Sequence, residues 1–374
     1  MKNLSESGCR KRRERLIAKA GVDLIVIADP PHIQYLTGLY ISPLGLGGRG
    51  SNYLLIDTAS GKTTLILHSF VKRGEGAIHV DDLVVWDAYS LEVPGAAPRF
   101  ARGLEILNEN LGGRRFKSAG YEAGLLPLGT RIGDGVDLTP LLLELRRKKD
   151  EDELELIRAA IGAILAGHKA ARATIRPGLT ELEIYNAVMS AIVKEAGDGV
   201  LPMGDFASGE RAFEGGGPPT SRILRPGELM ILDIFPLVNG YKGDFTATLA
   251  VNGKPTNAQK KLEAALVAAL EAGEAILRPG TAARDVYRSV YSELEKRGFS
   301  EGFPHHAGHG LGLDHPEAPF FLPRSGETIQ AGDVVTLEPG AYSRAKQYGA
   351  RIERNYLITD HGCSTLTPHS ISFA

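Results

Sequence analysis

The sequence predicts an α/β N-terminal domain over residues 1–147, followed by an α+β domain over residues 148–374 with an internal pseudo-twofold repeat. Short apolar runs such as Leu24 to Ile27, Tyr53 to Ile56, Thr64 to Leu67 and Leu83 to Val85 alternate with helical patterns before residue 148, the signature of a small α/β layer structure. Beyond it the chain repeats itself. Arg176-Pro177-Gly178 recurs as Arg278-Pro279-Gly280, and Tyr185 recurs as Tyr287, both at an offset of 102. Gly227-Glu228-Leu229-Met230-Ile231-Leu232-Asp233 then lines up with Gly332-Asp333-Val334-Val335-Thr336-Leu337-Glu338 at an offset of 105. Each unit reads as helices followed by strands.

The C-terminal elements can be taken in order. Lys148-Lys149-Asp150-Glu151-Asp152-Glu153-Leu154-Glu155 opens a long amphipathic helix, with acidic residues in the first turn where they favour the helix dipole. Further helices are expected across Thr180 to Ala196, Asn257 to Leu277 and Ala282 to Arg297. Leu229 to Phe235 and Asp244 to Val251 read as strands, and Asn239-Gly240 between them is a strong type I′ turn signal. If that turn sets the register, Val238 opposes Tyr241 and Asp233 faces Thr246. Asp244 then lies two positions along on the same face, roughly 7–8 Å from Asp233 at the backbone. A slip of one residue would turn one aspartate away.

Five residues, Asp233, Asp244, His309, Glu338 and Glu353, stand in short apolar, strand-like runs where an ionisable side chain is expensive. An isolated aspartate in a strand is more often capped by backbone donors, but four carboxylates around one imidazole balance the charge of two divalent cations. Such oxygen-rich ligation suits Mn, Co, Fe or Zn, with ions about 3.5–4 Å apart. The repeat maps Asp233 onto Glu338, so each half supplies ligands.

Composition narrows the class of function. A formal net charge of −2 gives no sign of a nucleic-acid partner, and Arg10-Lys11-Arg12-Arg13 reads as the solvated first turn of a helix. No apolar run suggests a membrane span, and Met1-Lys2-Asn3-Leu4-Ser5-Glu6 lacks the apolar core of a signal peptide. The two cysteines, Cys9 and Cys363, form no paired motif, so reduced thiols in a cytoplasm are the simple reading. Gly45-Leu46-Gly47-Gly48-Arg49-Gly50 is not a dinucleotide fingerprint, because a strand follows it; a mobile loop reaching a partner subunit's site is expected instead. His168 reads as an ordinary surface or core residue, and His32, His68 and His79 have no partner that sequence identifies.

Leu232-Asp233 with Asp244, Gly308-His309-Gly310-Leu311-Gly312, Thr336-Leu337-Glu338-Pro339-Gly340 and Arg351-Ile352-Glu353 together resemble the pita-bread metallopeptidases, which include prolidase, aminopeptidase P, methionine aminopeptidase and the metal-free relative creatinase. Gly21 to Ile27 and Tyr35-Leu36-Thr37-Gly38 resemble the N-terminal lid domain of prolidase and creatinase. The resemblance implies a homodimer and a dinuclear centre with Asp233, Asp244, His309, Glu338 and Glu353 as ligands. It further implies that Glu338 relays a proton to the leaving nitrogen and that His305 hydrogen-bonds the tetrahedral intermediate. His306 is the alternative inward residue. Arg351 either meets the substrate carboxylate or supports the acidic cluster as an outer partner.

Two departures concern substrate contact. The Pro-His histidine of the proline-specific peptidases is here Gly216, and the histidine that follows the metal histidine is here Pro316, with His315 one step early. His315 either fills that substrate-binding role from a shifted backbone or the role is lost. Pro219-Thr220-Ser221-Arg222-Ile223-Leu224 and Phe235-Pro236-Leu237 resemble the creatinase version of the region. The expected activity is therefore metal-dependent hydrolysis of an amide bond in a short peptide, with Xaa-Pro bonds as candidates, through a hydroxide between the two metals. The alternative is a creatinase-like hydrolase of a small non-peptide amide or amidine, and a third reading is a binding protein that reuses the fold.

Overall fold

The computed structural model describes residues 3–45, 51–71, 78–88, 91, 99–133, 135–201 and 203–374. The glycine-rich loop expected at Gly45 to Gly50 lies, from residue 46 on, outside the described residues. The chain divides into two compact units, Met1–Arg146 and Arg147–Ala374.

The first unit is a mixed sheet with helices. Helix α1 (Glu6–Ala20) is started by the Ser5 hydroxyl, which accepts from the Gly8 N–H at 3.0 Å, and is stopped by Gly21 at φ 63°. Strand β1 (Leu24–Ile27) is buried along its whole length, so its run is continuously apolar rather than alternating. Helix α2 (Pro30–Thr37) follows, then β2 (Tyr53–Asp57), β3 (Thr63–His68), β4 (Asp82–Trp86), helix α3 (Arg99–Gly112), β5 (Ala119–Tyr121), β6 (Gly135–Asp137) and helix α4 (Thr139–Arg147). The six strands lie in the order β4-β3-β2-β1-β5-β6, with β1 antiparallel to β2 and parallel to β5.

The first unit corrects one sequence reading in part and completes another. The basic stretch is solvated only in part: Arg10 and Lys11 are exposed, but Arg12 is fully buried and donates to the Tyr35 carbonyl at 2.7 Å, while Arg13 donates to the Leu36 carbonyl at 2.6 Å and the His79 carbonyl at 2.9 Å. Those α2 carbonyls near its C-terminus lack intrahelical partners, and guanidinium groups supply them. His32, without a partner in the sequence, meets the buried Glu122 carboxylate through Nδ1 and accepts from Arg146 Nη1 at 3.0 Å through Nε2. Glu122 also accepts the Ala28 and Asp29 N–H groups at 2.6 and 2.8 Å, so the cluster is internally satisfied.

The second unit begins with helix α5 (Glu151–Thr174), whose Glu153 carboxylate accepts the Asp150 N–H at 2.9 Å. The helix starts at Glu151 rather than Lys148, because Asp150 is extended and acts as its N-cap in a capping box with Glu153, and Lys149 before it joins a buried ion pair with Glu317. Helix α6 (Glu181–Ala196), capped by Thr180, packs against α5, where Gly167 leaves room for Ile192 and Val188. Next come β7 (Gly204–Ser208), β8 (Leu229–Ile234), β9 (Leu237–Val238), β10 (Tyr241–Lys242) and β11 (Phe245–Ala250). Strands β11, β8 and β7 form an antiparallel sheet in that order.

Asn239 and Gly240 have φ of 47° and 83°, as a type I′ turn requires. Val238 faces Tyr241 and Asp233 faces Thr246, the register expected from the turn.

Helices α7 (Asn257–Glu274) and α8 (Ala283–Lys296) form the second packed pair; α7 stops at Glu274, short of the expected Leu277. Leu262, Leu266, Ala269, Leu270 and Gly273 place the buried stripe of α7 against Val286, Val290 and Leu294 of α8. Strands β12 (His309–Gly310), β13 (Glu317–Phe320), β14 (Val334–Leu337), β15 (Gly340–Ser343), β16 (Tyr348–Arg351), β17 (Arg354–Ile358) and β18 (Cys363–Thr365) complete the unit. Five of them form a sheet in the order β13-β12-β14-β17-β18, and β15 pairs with β16.

The repeat is visible in the backbone hydrogen bonds. Gly178 N–H donates to the Leu224 carbonyl and Leu224 N–H to Leu179, just as Gly280 donates to Ile329 and Ile329 to Thr281. Each second member is the first displaced by the 102 or 105 residues read from the sequence. Among the described residues, no helix is long and apolar enough to cross a membrane.

The hairpin register rests on positive φ at the turn. Replacing Gly240 by valine should destabilise the protein by about 1–2 kcal/mol in urea unfolding, whereas Asn239→Gly, which keeps that backbone region open, should cost less.

Candidate metal centre

Asp233 ends the inward face of β8, and Asp244 immediately precedes β11 in the antiparallel partner of β8. Glu338 and Glu353 lie just beyond the Leu337 to Arg354 pair of β14 and β17, and His309 opens β12 beside β14. All five are at most 8 % exposed. Donor atoms of Asp233, Asp244 and Glu353 lie within 4.8 Å of one another, as do those of Asp244, His309 and His315, and of His306, His309 and Glu338.

Three carboxylates share one pattern. Asp233 Oδ2 accepts from Arg351 Nη2 at 2.5 Å, Asp244 Oδ2 from His315 Nε2 at 2.6 Å, and Glu353 Oε2 from Thr246 Oγ1 at 2.8 Å. Their other oxygens, Asp233 Oδ1, Asp244 Oδ1 and Glu353 Oε1, are buried with no hydrogen-bond partner. Buried oxygens left so are costly unless a cation meets them, and an oxygen-rich set with imidazole is a fitting donor set for divalent metal. His309 donates from Nδ1 to the Gly310 carbonyl at 2.8 Å, which directs Nε2 between Asp244 and Glu338, 3.4 Å from each, where a cation would take the place of its proton.

The electrostatics are those of crowded acids. Burial raises Asp233 to about 7, opposed by Arg351 and reinforced by the charges of Asp244, Asp205 and Glu338. Burial, with Asp244, Glu338 and Asp233 as neighbours, holds Glu353 well above the usual carboxylate range. His309 rises to about 9, because its bonds and proximity to Asp244 and Glu338 outweigh its burial. Asp244, despite burial, is held below the usual range by His315 and His309, and Glu338 is lowered to about 2 by His306, His309 and His305.

Arg351 is an anchor with all five N–H groups engaged. Nε donates to Thr246 Oγ1 at 3.0 Å, Nη1 to the Gly215 carbonyl at 3.0 Å and Tyr342 Oη at 2.9 Å, and Nη2 to Asp233 and, at 3.3 Å, to Asp205 Oδ2. Tyr342, so accepting, donates to His305 Nε2 at 3.0 Å, and His305 Nδ1 donates to the His306 carbonyl at 2.7 Å. Both ring nitrogens of His305 are thus spent inside the protein, and burial lowers it to about 4. His306 instead faces Glu338 Oε1 at 3.0 Å and is partly exposed. His315 lies flat on Phe235, ring centroids 4.5 Å apart, which aims its Nε2 at Asp244. His168 is buried in ring contact with Phe245 and His369.

Asp205 and Tyr342 escaped the sequence reading. Asp205, an acid in the strand Gly204–Ser208, carries the same signal as Asp233; Tyr342 carries none, since a tyrosine in an apolar run reads as core.

Residues 155–360 match metallopeptidase family M24, and residues 10–147 match the creatinase/prolidase N-terminal domain. The chain belongs to metallopeptidase family M24. It is thereby a metal-dependent peptidase, and the family implies divalent metal ions and a peptide substrate. The uncharacterized peptidase YqhT of Bacillus subtilis is 24% identical over 96% of this chain and 97% of its own, and an uncharacterized peptidase of Staphylococcus aureus (strain USA300) is 31% identical over 63% of this chain and 66% of its own. In fold, the chain is similar to an X-Pro aminopeptidase from Thermotoga maritima MSB8, with TM-score 0.82 and 22% identity over 97% of this chain and 98% of that one. It is also similar to an Xaa-Pro dipeptidase from Bacillus anthracis, with TM-score 0.79 and 22% identity over 98% and 99% of the two chains. These comparisons support the M24 peptidase reading and not the creatinase-like alternative.

The pKa pattern gives the metal-free protein a definite pH response. Asp233, Glu353 and His309 all have folded values above their ordinary 3.8, 4.5 and 6.5. Their contribution is present at low pH and lost as pH rises through the folded values. Asp244 and Glu338 act oppositely, but only as pH falls below the ordinary carboxylate range. The melting temperature of chelator-treated protein should therefore fall between about pH 5 and pH 9. Saturating divalent cation should reverse the slope, because it binds the deprotonated ligands.

Proposed function

We propose that the protein is an exopeptidase of short peptides, with Xaa-Pro bonds as the first candidates, that binds two divalent ions through Asp233, Asp244, His309, Glu338 and Glu353. The observation that carries this reading is the convergence of three buried carboxylates, each with one oxygen tied to the protein and the other unpartnered. Mn, Co, Fe and Zn all suit such donors. Bound divalent ions supply Lewis acidity towards a peptide carbonyl and acidify water near neutral pH.

The chain's own residues do the rest. Arg351, His315 and Thr246 hold the outer oxygens of Asp233, Asp244 and Glu353, fixing where the inner oxygens point. Glu338, steadied by His306 at Oε1, is the acid and base that moves a proton from water to the leaving nitrogen. Arg351 supports the cluster, since its saturated guanidinium has no N–H left for a substrate carboxylate. His315 is committed to Asp244 by the same reasoning, and His305 to Tyr342.

Metal-loaded protein should hydrolyse dipeptides or proline-containing peptides, lose activity on chelation and regain it with Mn or Co. Asp244→Ala should abolish turnover, and Arg351→Leu should cost about 10–100-fold in metal affinity or activity. Elemental analysis beside a panel of Xaa-Pro and other short peptides checks this; two bound metals with no turnover on any of them would defeat the proposal.

A further inference from the structure

Asp205 is the acidic residue of the site that no ligand role absorbs. Strand β7 pairs with β8 so that Asp205 stands directly opposite Asp233, and directly paired residues share a face of the sheet. A single nitrogen, Arg351 Nη2, bridges the two carboxylates, at 2.5 Å from Asp233 Oδ2 and 3.3 Å from Asp205 Oδ2. That long, shared bond is the one side-chain hydrogen bond Asp205 makes among the described residues, and none of them bonds its Oδ1. The metal-facing carboxylates are buried, whereas the Asp205 side chain is 33% exposed, so it forms part of the wall on the open side of the cluster.

The neighbouring glycine makes room for this carboxylate. A Cβ at Gly216 would stand 2.1 Å from Asp205 Oδ2 and 2.6 Å from its Cγ, closer than any side chain allows. The position that could have carried a side chain into the site is left empty so that an acid from the adjacent strand can occupy the space.

We propose that Asp205 receives the free α-ammonium group of the substrate and so selects peptides with an unblocked N-terminus. The inference rests on the peptidase reading above and deepens it. An ammonium carries three donors and needs acceptors, and a carboxylate with one oxygen unpartnered offers a charge-assisted bond. Reach favours the α-nitrogen. It lies only about 2.5 Å from the carbonyl carbon of its own residue, across one Cα, so a peptide held by that carbonyl at the cluster brings its terminal nitrogen close by. A lysine side-chain ammonium, at the end of a four-carbon stem, would overshoot a carboxylate one guanidinium nitrogen away from Asp233.

The test compares a free peptide with its desamino counterpart on metal-loaded wild type, Asp205→Asn and Asp205→Ala. Wild type should prefer the free amine. Both variants should lose about tenfold or more in kcat/KM on the free peptide, chiefly through KM, and lose far less on the desamino substrate, with the metal still bound. Wild-type indifference to the amine, or an equal loss on both substrates, would overturn the proposal, the second outcome marking Asp205 as only a support for Arg351. Calorimetric binding of L-leucine against 4-methylpentanoate supplies a readout without turnover. If no peptide is cleaved yet leucine is preferred by wild type and not by Asp205→Asn, the peptidase reading fails while amine recognition stands; no preference in wild type sinks the inference by itself.

Discussion

The structure depends on holding several carboxylates together in one buried space. Like charges at such range repel, and burial alone would neutralise them. The fold answers with unequal treatment of each group's two oxygens. A guanidinium, an imidazole and a hydroxyl each take one oxygen of one acid, and the second oxygens of Asp233, Asp244 and Glu353 are left without a hydrogen-bond partner. Most of the surrounding architecture, from the tight hairpin to the saturated Arg351, can be read as support for that arrangement.

The duplicated frame explains how so strained a cluster is positioned. Both halves repeat a helix pair, a crossing loop and a strand that ends in an acid, Asp233 in one and Glu338 in the other. The equivalent hydrogen bonds at Gly178 and Gly280, and at Leu224 and Ile329, show that the loops between helices and strands kept their geometry. Side chains at the centre diverged. The first half supplies two aspartates on a hairpin, and the second supplies a histidine on a short strand inside the five-stranded sheet, with two glutamates just beyond the paired ends of β14 and β17. A rigid scaffold from each side constrains the cluster more tightly than one sheet could.

The parts of this arrangement that local chemistry dictates were legible in the sequence. Asn239-Gly240 admits one favourable turn, so the pairing of Asp233 with Thr246 followed from counting residues, and the repeat could be seen in its proline and glycine punctuation. What depends on long-range packing was not legible. Arg12 sits in a run of positive charge that reads as solvated, yet helix α2 presents bare carbonyls to it and draws it fully inside. His305 and His306 are adjacent, and it is the Tyr342 hydroxyl, brought from strand β15, together with the His306 carbonyl that holds the His305 ring while His306 faces Glu338. Asp205 was missed because its place beside Arg351 and Gly216 comes from strand β7 meeting a loop eleven residues further on, which local pattern does not reveal.

The contact between Gly216 and Asp205 also makes the two positions interdependent as sites of substitution. A residue with a side chain at 216 leaves no room for the acid in its present rotamer, and the acid in that rotamer leaves none for a side chain at 216. Bulk at 216 is costly while the acid stands there and cheap once it is gone, so the free-energy costs of changing the two residues do not simply add.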